Sequence, residues 1–164
     1  MALFLSTIIN KIDSKSRVSV PSSFRNTLQK QTFKGVIVFP SYKNYSIDAC
    51  GIDRMESISE SLDNNNEYSK EEFDLLSLYF GEAEQLPFDR EGRIILPKKL
   101  KNHASIEKEV LFVGLGPTFQ IWNPQNYNNK RLKTIKLASQ KNLNPRLKPI
   151  PKGVWLRRKN DTSS

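Results

Sequence analysis

The chain has 164 residues, 37% of them hydrophobic, and carries a formal net charge of +9 with a pI of about 9.7. This length predicts one compact domain or two small halves that share a core. The basic balance indicates a polyanion as partner, with nucleic acid ahead of an anionic membrane surface, and charge that serves only solubility is the alternative.

The composition also argues against several kinds of site. A single cysteine, Cys50, excludes an intrachain disulfide, and one histidine argues against a zinc site held by protein ligands alone. No apolar stretch reaches the roughly 18–20 residues that a membrane span needs, and the opening MALFLSTIINKID lacks the basic region of a signal peptide. We therefore expect a cytoplasmic protein without a membrane partner, a metal or a cofactor.

The charges are segregated along the chain. Thirteen acidic and three basic residues lie between Asp48 and Glu91, whereas eleven basic and no acidic residues lie between Asn123 and Asn160. Such a distribution predicts one region that repels DNA and another that attracts it.

The first predicted element is a strand over residues 4–12, which ends at a tight turn headed by Asp13. The alternating string RVSVP at 17–21 predicts a second, half-buried strand. Pro21 ends that strand and suits the first turn of a short helix over 22–30. The string GVIVFPSYKNYSID then predicts a hairpin.

Two helices are predicted next, in the acidic region. Residues 53–62 place apolar side chains at helical spacing. Residues 69–80 open with S-K-E-E, a capping-box pattern, and place Phe73, Leu76 and Phe80 on one stripe. These stripes are candidates for contacts between subunits.

The first order of elements then returns. Strand, turn, strand, helix and hairpin are predicted at residues 84–88, 89–93, 93–97, 98–103 and 109–122. DSKSRVSVP at 13–21 lies over DREGRIILP at 89–97, so the chain holds two copies of one unit of roughly 45 residues. Each copy alone is too small to bury its apolar strand faces, and we expect the two to pack as an internal pseudo-dimer.

The last segment is predicted as a helix and a basic tail. Asn123 and Pro124 begin the helix, which runs to about Ser139. The tail from residue 144 holds three prolines in a short span and is predicted to be extended or disordered. It is interpreted either as a non-specific DNA arm, in which Trp155 stacks or wedges, or as a solubilising tail.

The predicted elements divide the chain into four parts: a first repeat at 1–52, an acidic helical insert at 53–82, a second repeat at 83–128, and a basic C-terminal helix and tail at 129–164.

The strongest local signal is the turn D-x-x-[GS]-R, present in both copies. Asp13 and Asp89 can accept hydrogen bonds from backbone N–H groups further along the turn, and Gly92 supplies a permissive backbone. Arg17 and Arg93 begin the next strands. Each arginine either pairs with its aspartate and pins the hairpin, or donates to guanine or phosphate, and both can hold if the aspartate orients the arginine.

The pattern D-x-x-G-R-[VIL]-x-[VIL]-P, followed by a short basic helix, resembles the AbrB/MazE/SpoVT swapped-hairpin superfamily. Two copies, a helical insert and the string VGLGPTFQIW at 113–122 resemble the MraZ family in particular, over about residues 4–140. The resemblance implies an α+β fold, mainly β: two tandem swapped-hairpin (AbrB-like) repeats that form a pseudo-two-fold β-barrel core, with a helical insert between them and a C-terminal helix.

The resemblance also implies a sequence-specific, DNA-binding transcriptional regulator with no catalytic activity. The family binds G-rich direct repeats upstream of the division and cell-wall gene cluster, including its own gene, and assembles into rings. The expected partners are double-stranded DNA at the nucleoid and further copies of the chain, with no small-molecule substrate. The alternative is a swapped-hairpin protein-interaction module, antitoxin-like or a scaffold, with only non-specific DNA binding.

Residues carried over from the family lie in the turns. Arg17 and Arg93 match arginines implicated in DNA contact, and Lys15 matches a basic turn residue of the first copy. Glu91 stands there in the second copy, which therefore looks weaker at the turn. Ser16 replaces the usual turn glycine, so strain of about 1 kcal/mol is expected if it sits at positive φ.

The helix after each proline offers further cations, which would reach phosphates and set register, or would form a solvated face. These candidate DNA-binding residues are Arg25, Lys98, Lys99 and Lys101. The large aromatic residues are expected in the core or a subunit interface, namely Phe39, Phe112, Phe119 and Trp122. Cys50 is interpreted as a structural thiol, and His103 is assigned no catalysis.

Overall fold

A computed structural model describes residues 2–64 and 67–145. Contacts divide the chain into two units, Met1–Lys130 and Arg131–Ser164. The elements in chain order are β1 (Thr7–Lys11), β2 (Arg17–Ser19), α1 (Ser22–Leu28), β3 (Gly35–Pro40), β4 (Ile47–Cys50), α2 (Ile52–Asn64), α3 (Lys70–Glu82), β5 (Glu84–Pro87), β6 (Arg93–Ile95), α4 (Lys98–His103), β7 (Glu109–Leu115), β8 (Thr118–Trp122) and α5 (Pro124–Lys141). The first unit holds all these strands and α1–α4, and α5 continues into the second unit.

The first strand is shorter than predicted. Ser6 has a φ of 80° and interrupts the extended backbone before β1 begins. Phe4 still pairs beyond this break, since its N–H donates to the carbonyl of Gly116 at 2.7 Å and its carbonyl accepts from Gly116 N–H at 3.1 Å. The strand predicted over 4–12 is therefore not continuous: β1 covers Thr7–Lys11, and Phe4 forms a separate bridge.

The sheet interleaves strands from two halves of the chain, β1–β4 and β5–β8, which correspond to the two predicted copies and are called copies below. Its six strands are antiparallel in the order β1-β7-β8-β4-β3-β5, and β2 pairs with β6 in a separate ribbon. Among the described strands, β3–β4 and β7–β8 pair within a copy, whereas β1–β7, β3–β5, β4–β8 and β2–β6 join one copy to the other. Each copy therefore completes its sheet with strands of the other.

The expected closed β-barrel is not found among the described strands. β1 and β5 remain the edges of an open sheet, with β2 lying against β1 and β6 against β5. The ribbon strands have three residues each and are followed closely by Pro21 and Pro97, which have no N–H to donate to a ladder. Between ribbon and sheet the described residues form the isolated bridge of Ile12 with Val18 but no continuous ladder, so the sheet stays open.

The core lies under the inner face of the sheet and is built around four phenylalanines. The ring centroids of Phe4, Phe24, Phe112 and Phe119 lie 4.8–6.4 Å apart in contacting pairs. All four rings are buried, as is Trp122, which contacts Tyr127 at the start of α5. Burying aromatic side chains of this size dominates the packing energy of a small core.

The insert helices cover part of the outer face of the sheet. Met55 of α2 packs with Ile37 and Cys50, and Phe39 contacts Tyr79 of α3 with ring centroids 5.0 Å apart. The predicted capping box is present, because Ser69 Oγ accepts from the N–H of Glu72 at 3.2 Å and the Glu72 carboxylate accepts from the N–H of Ser69 at 2.8 Å. No helix in the described part of the chain is long and apolar enough to cross a membrane.

Candidate nucleic-acid interface

The first turn is organised by the carboxylate of Asp13. Its Oδ1 accepts from the backbone N–H groups of Lys15 and Arg17, each at 2.9 Å, and its Oδ2 accepts from Nε of Arg17 at 2.7 Å. The N–H of Asp13 donates in turn to the carbonyl of Arg17 at 3.0 Å. These bonds favour the ionised carboxylate, so the pKa of Asp13 lies below its usual value, chiefly because of the Arg17 N–H.

The second turn repeats this geometry. Asp89 Oδ1 accepts from the N–H groups of Glu91 at 2.8 Å and Arg93 at 2.9 Å, and Oδ2 accepts from Arg93 Nε at 2.8 Å. The pKa of Asp89 is lowered chiefly by the Arg93 N–H, and the pKa of Arg93 is raised chiefly by its hydrogen bond to Asp89. The Asp–Arg pair that the sequence suggested is thus formed in both copies.

The ribbon of β2 and β6 brings both arginines to one face. Arg17 lies opposite Ile95 in the ladder, and Arg93 lies opposite Ser19. The central pair, Val18 and Ile94, is fully buried on the inner face. Because side chains alternate along a strand, the outer face carries Arg17, Ser19, Arg93 and Ile95. Diagonal positions of this kind lie roughly 7–8 Å apart along the ladder, so the two arginine side chains start from neighbouring positions on this face.

The two guanidinium groups differ in which of their N–H donors remain available. Their side chains are 33% exposed at Arg17 and 26% exposed at Arg93. Asp13 occupies only Nε of Arg17, and within the described residues its terminal nitrogens have no recorded partner. Nη1 of Arg93 lies 3.5 Å from Oε2 of Glu91. The first turn therefore offers a more available pair of N–H donors than the second.

One residue in each turn has a positive φ, and a side chain from a helix of the other copy contacts that residue. Ser16 has a φ of 63° and Gly92 a φ of 74°, so Ser16 does sit at positive φ. Lys101 Nζ donates to Ser16 Oγ at 2.9 Å. The Arg25 side chain covers Gly92, where an added Cβ would lie 2.5 Å from both its Cδ and its Nη1. Arg25 and Lys101 thus lie beside the turns of the opposite copies.

The remaining candidate cations, Lys15, Lys98 and Lys99, differ in their surroundings. Lys15 is exposed in the first turn, and Lys98 is exposed at the start of α4. Lys99 is exposed as well, and its Nζ lies 4.0 Å from Oε1 of Glu82 at the end of acidic α3. The structure therefore gathers Lys15, Arg17, Arg25, Arg93 and Lys101 around the ribbon and its turns, and directs Lys99 toward the insert.

The sequence analysis assigns no role to two residues near the arginines, Ile95 and Asn10. Ile95 is 61% exposed on the outer face, and the alternation of RIILP already placed it opposite the buried side chains. Asn10 Nδ2 donates to the carbonyl of Ser19 at 2.7 Å and so ties the ribbon to β1. Nothing in the local pattern around Asn10 indicates this contact, since nine residues separate the partners.

Other chemically active side chains lie away from the ribbon. Burial raises the pKa of the Cys50 thiol to about 12, so Cys50 is a poor nucleophile. Burial also raises the pKa of Asp48, whose carboxylate accepts from Gln120 Nε2 at 2.9 Å. Both residues line a cleft of about 330 Å³ under the insert helices. The described residues contain no group of three or more side chains able to hold a metal ion.

The basic tail proposed as a DNA arm lies outside the described residues. Its cations and its aromatic residue are Arg146, Lys148, Lys152, Trp155, Arg157, Arg158 and Lys159.

Comparison with known proteins places this chain in a family. A family model described as "MraZ protein, putative antitoxin-like" matches residues 79–146, which include the second turn and ribbon strand. The chain is 46% identical over 143 residues to the transcriptional regulator MraZ of Rickettsia rickettsii (strain Sheila Smith), covering 87% of this chain and 96% of that protein. The chain belongs to the MraZ family.

Further relatives agree with this assignment. The transcriptional regulator MraZ of Rickettsia bellii (strain OSU 85-389) is 46% identical over 144 residues, covering 87% of this chain and 96% of that protein. The one of Rickettsia akari (strain Hartford) is 44% identical over 140 residues, covering 85% and 94%. Membership of the MraZ family, inferred above from two turns and one hairpin string, is thus confirmed.

Proposed function

We propose that this protein is a sequence-specific, DNA-binding transcriptional regulator. Relatives of near-equal length carry the name transcriptional regulator, which supports the regulatory role. The observation that carries DNA binding is the placement of Arg17 and Arg93 on one outer face of the β2–β6 ribbon. The proposed role needs no catalytic step.

The ribbon suits the major groove, which admits a two-stranded antiparallel β-ribbon. Asp13 and Asp89 hold Nε of their arginines, so each side chain is oriented before DNA arrives. The terminal N–H groups can then donate together to O6 and N7 of guanine, the commonest specific contact of arginine. We propose G-rich direct repeats upstream of the division and cell-wall gene cluster, including the protein's own gene, as the sites.

Cations around the ribbon supply the sequence-independent part of binding. Lys15 and Lys98 are exposed for phosphate contacts, while Arg25 and Lys101 add positive charge beside the turns that they contact. Lys99 contributes less, because Glu82 lies near it. If six to ten phosphates are neutralised in an assembly, affinity falls roughly a thousandfold or more between low and moderate salt.

We also propose that the chain consists of two repeats with a helical insert between them. The four-part division at residues 52, 82 and 128 and a swapped-hairpin relation between the repeats are supported by the strand pairings that join the copies. The acidic insert is proposed to face away from DNA, and several chains are proposed to assemble as a ring at the nucleoid in the cytoplasm. The competing role, an antitoxin-like or scaffold module, takes its support from the wording of the family description.

A gel-shift titration on the DNA upstream of the protein's own gene tests the proposal. We expect Arg17→Ala and Arg93→Ala each to weaken specific binding by about 1–3 kcal/mol, roughly fivefold to more than a hundredfold, because a bidentate guanine contact is worth that much. Arg54→Ala, which removes an exposed arginine of α2, is the matched control and should bind as wild type does.

Two results would count against this role. Specific binding by both ribbon variants at wild-type strength would leave the arginines as structural pins only. Equal affinity of the wild-type protein for the upstream DNA and for random DNA would favour the protein-interaction role.

A further inference from the structure

Ile95 is the apolar residue on the outer face of the β2–β6 ribbon. That face holds four side chains, Arg17 and Ser19 on β2 and Arg93 and Ile95 on β6. Ile95 lies directly across the ladder from Arg17 and two residues along its own strand from Arg93. Ile95 is 61% exposed. An apolar side chain therefore stands next to both arginines, on the surface that is proposed to enter the major groove.

The hydrogen bonding of the ladder sets the distance between Ile95 and Arg17. The N–H of Leu96 donates to the carbonyl of Ser16 at 2.9 Å. Because hydrogen-bonded and non-hydrogen-bonded pairs alternate along an antiparallel ladder, the next pair, Arg17 with Ile95, is non-hydrogen-bonded. The Cα atoms of such a pair are about 4.5 Å apart, and their side chains are closer together than those of a hydrogen-bonded pair.

We infer that Ile95 contacts the C5 methyl group of a thymine beside the guanine that Arg17 contacts, and so selects thymine at that base pair. The inference rests on the proposed function, since it adds a second base contact to the same ribbon. Successive nucleotides of a DNA strand are about 3.4 Å apart along the helix axis, so two side chains about 4.5 Å apart at Cα can reach neighbouring base pairs.

The chemistry of the side chain matches thymine and no other base. Thymine presents a methyl group in the major groove, whereas cytosine presents an amino donor and adenine and guanine present hydrogen-bonding groups at their edges. Isoleucine has no donor or acceptor in its side chain. Single exposed apolar residues are common on protein surfaces, so it is the position of Ile95 beside two base-reading arginines, and not its exposure, that supports the contact.

The two copies differ at this position. RVS in the first copy aligns with RII in the second, so Ser19 stands where Ile95 stands, and Ser19 lies across the ladder from Arg93. The thymine contact therefore belongs to the Arg17 side of the ribbon, while the Arg93 side offers a hydroxyl group. The same alignment shows that a serine fits this place in a ribbon strand, which makes Ile95→Ser a mild substitution for the fold.

Removing the methyl groups from the DNA tests the contact. Duplexes of the DNA upstream of the protein's own gene are prepared with thymine or with uracil, which pairs in the same way and lacks only the C5 methyl group. In a fluorescence-anisotropy titration of the full-length chain, we expect wild type to bind the uracil duplex roughly fourfold more weakly, the value of one buried methyl group. Ile95→Ser should bind the thymine duplex more weakly than wild type does and should not distinguish the two duplexes.

Two further variants are the controls. Ile95→Val keeps a branched apolar side chain and should keep the preference for the thymine duplex. Leu115→Ala shortens a side chain of similar exposure, 58%, at the end of β7 and outside the ribbon, and should keep both the affinity and the preference of wild type. Far-UV circular dichroism verifies that all three variants stay folded.

Equal wild-type affinity for the thymine and uracil duplexes would overturn the inference and leave the proposed function standing. An Ile95→Ser variant that keeps the wild-type preference for thymine would do the same. Equal wild-type affinity for upstream and random DNA would instead overturn the proposed function, and this inference with it.

Discussion

Ser16 and Gly92 occupy the same position in the two turns. Comparing them shows how a serine is tolerated in a backbone conformation that favours glycine. An L-residue in the left-handed region costs about 1 kcal/mol, which glycine avoids. Ser16 receives a hydrogen bond from Lys101 in return, with the charged donor 2.9 Å from its hydroxyl. A hydrogen bond to a charged group contributes a similar amount, so the substituted turn keeps its shape.

The contact of Arg25 with Gly92 predicts that an alanine substitution destabilises the protein more at Gly92 than at Gly116. Gly92 and Gly116 share a φ of 74°, but a Cβ at Gly116 meets open space, whereas one at Gly92 meets Arg25. We expect Gly116→Ala to lower the free energy of unfolding by about 1 kcal/mol and Gly92→Ala by about 2–3 kcal/mol, measured by urea denaturation.

Removing the neighbouring side chain isolates its contribution. In an Arg25→Ala background, Gly92→Ala should cost no more than Gly116→Ala does. An unchanged cost in that background would show that Arg25 does not crowd the turn.

The sequence predicts the turn residues well and their neighbours poorly. The positive φ of Ser16 follows from its alignment with Gly92, and the Asp–Arg pairs follow from the short spacing within each turn. The contact of Lys101 with Ser16 spans 85 residues and depends on how the copies interleave. No local pattern encodes that contact, so the sequence predicted for Lys101 only phosphate contact or a solvated face.

At the scale of elements, the ribbon and its two turns form one unit with unequal ends. The first turn carries Lys15, and the second carries Glu91, which approaches Arg93. Alternation predicted both ribbon strands, because buried Val18 and Ile94 are flanked by outward residues. It could not predict that these strands pair with each other, since alternation specifies a face and not a partner.

Neutralising Glu91 should strengthen the second turn. Glu91→Gln removes the negative charge 3.5 Å from Nη1 of Arg93 and one negative charge facing the DNA backbone. Exposed ion pairs are worth up to about 1 kcal/mol, so we expect affinity for the upstream DNA to rise roughly twofold to fivefold at low salt.

The control for this gain is Glu56→Gln on α2, which changes the net charge equally. It should leave affinity unchanged in the same fluorescence-anisotropy titration. An equal gain in both variants would attribute the effect to net charge and not to Arg93.

At the scale of the whole molecule, the interleaved sheet makes the two copies dependent on each other. β1 finds its partner in β7 and β5 finds its partner in β3, so neither half contains its own complete sheet. The repeat in the sequence predicted two packed copies. The open sheet was not predicted, because closure depends on short ribbon strands and on prolines whose effect on the ladder appears only once the pairings are known.

Cutting the chain between the two insert helices, α2 and α3, tests this dependence. We introduce a protease site between residues 64 and 67 and expect the two fragments to elute together in native size-exclusion chromatography, since pairings of four kinds join the copies. The fragments should separate only in denaturant, and each alone should lack the circular dichroism of the intact chain. Native separation of the fragments would contradict the interleaved sheet.

The two turns at the ends of the β2–β6 ribbon carry different charges, and this difference gives the ribbon a direction. Two identical protomers around a two-fold axis present the same tip at both ends and match palindromic half-sites. Here Lys15 marks one end of the ribbon and Glu91 the other, so turning the molecule end over end changes which charge meets a phosphate. On the proposed tandem DNA sites, a ribbon with distinct ends would give each molecule one preferred direction along the groove, so successive molecules would all point the same way.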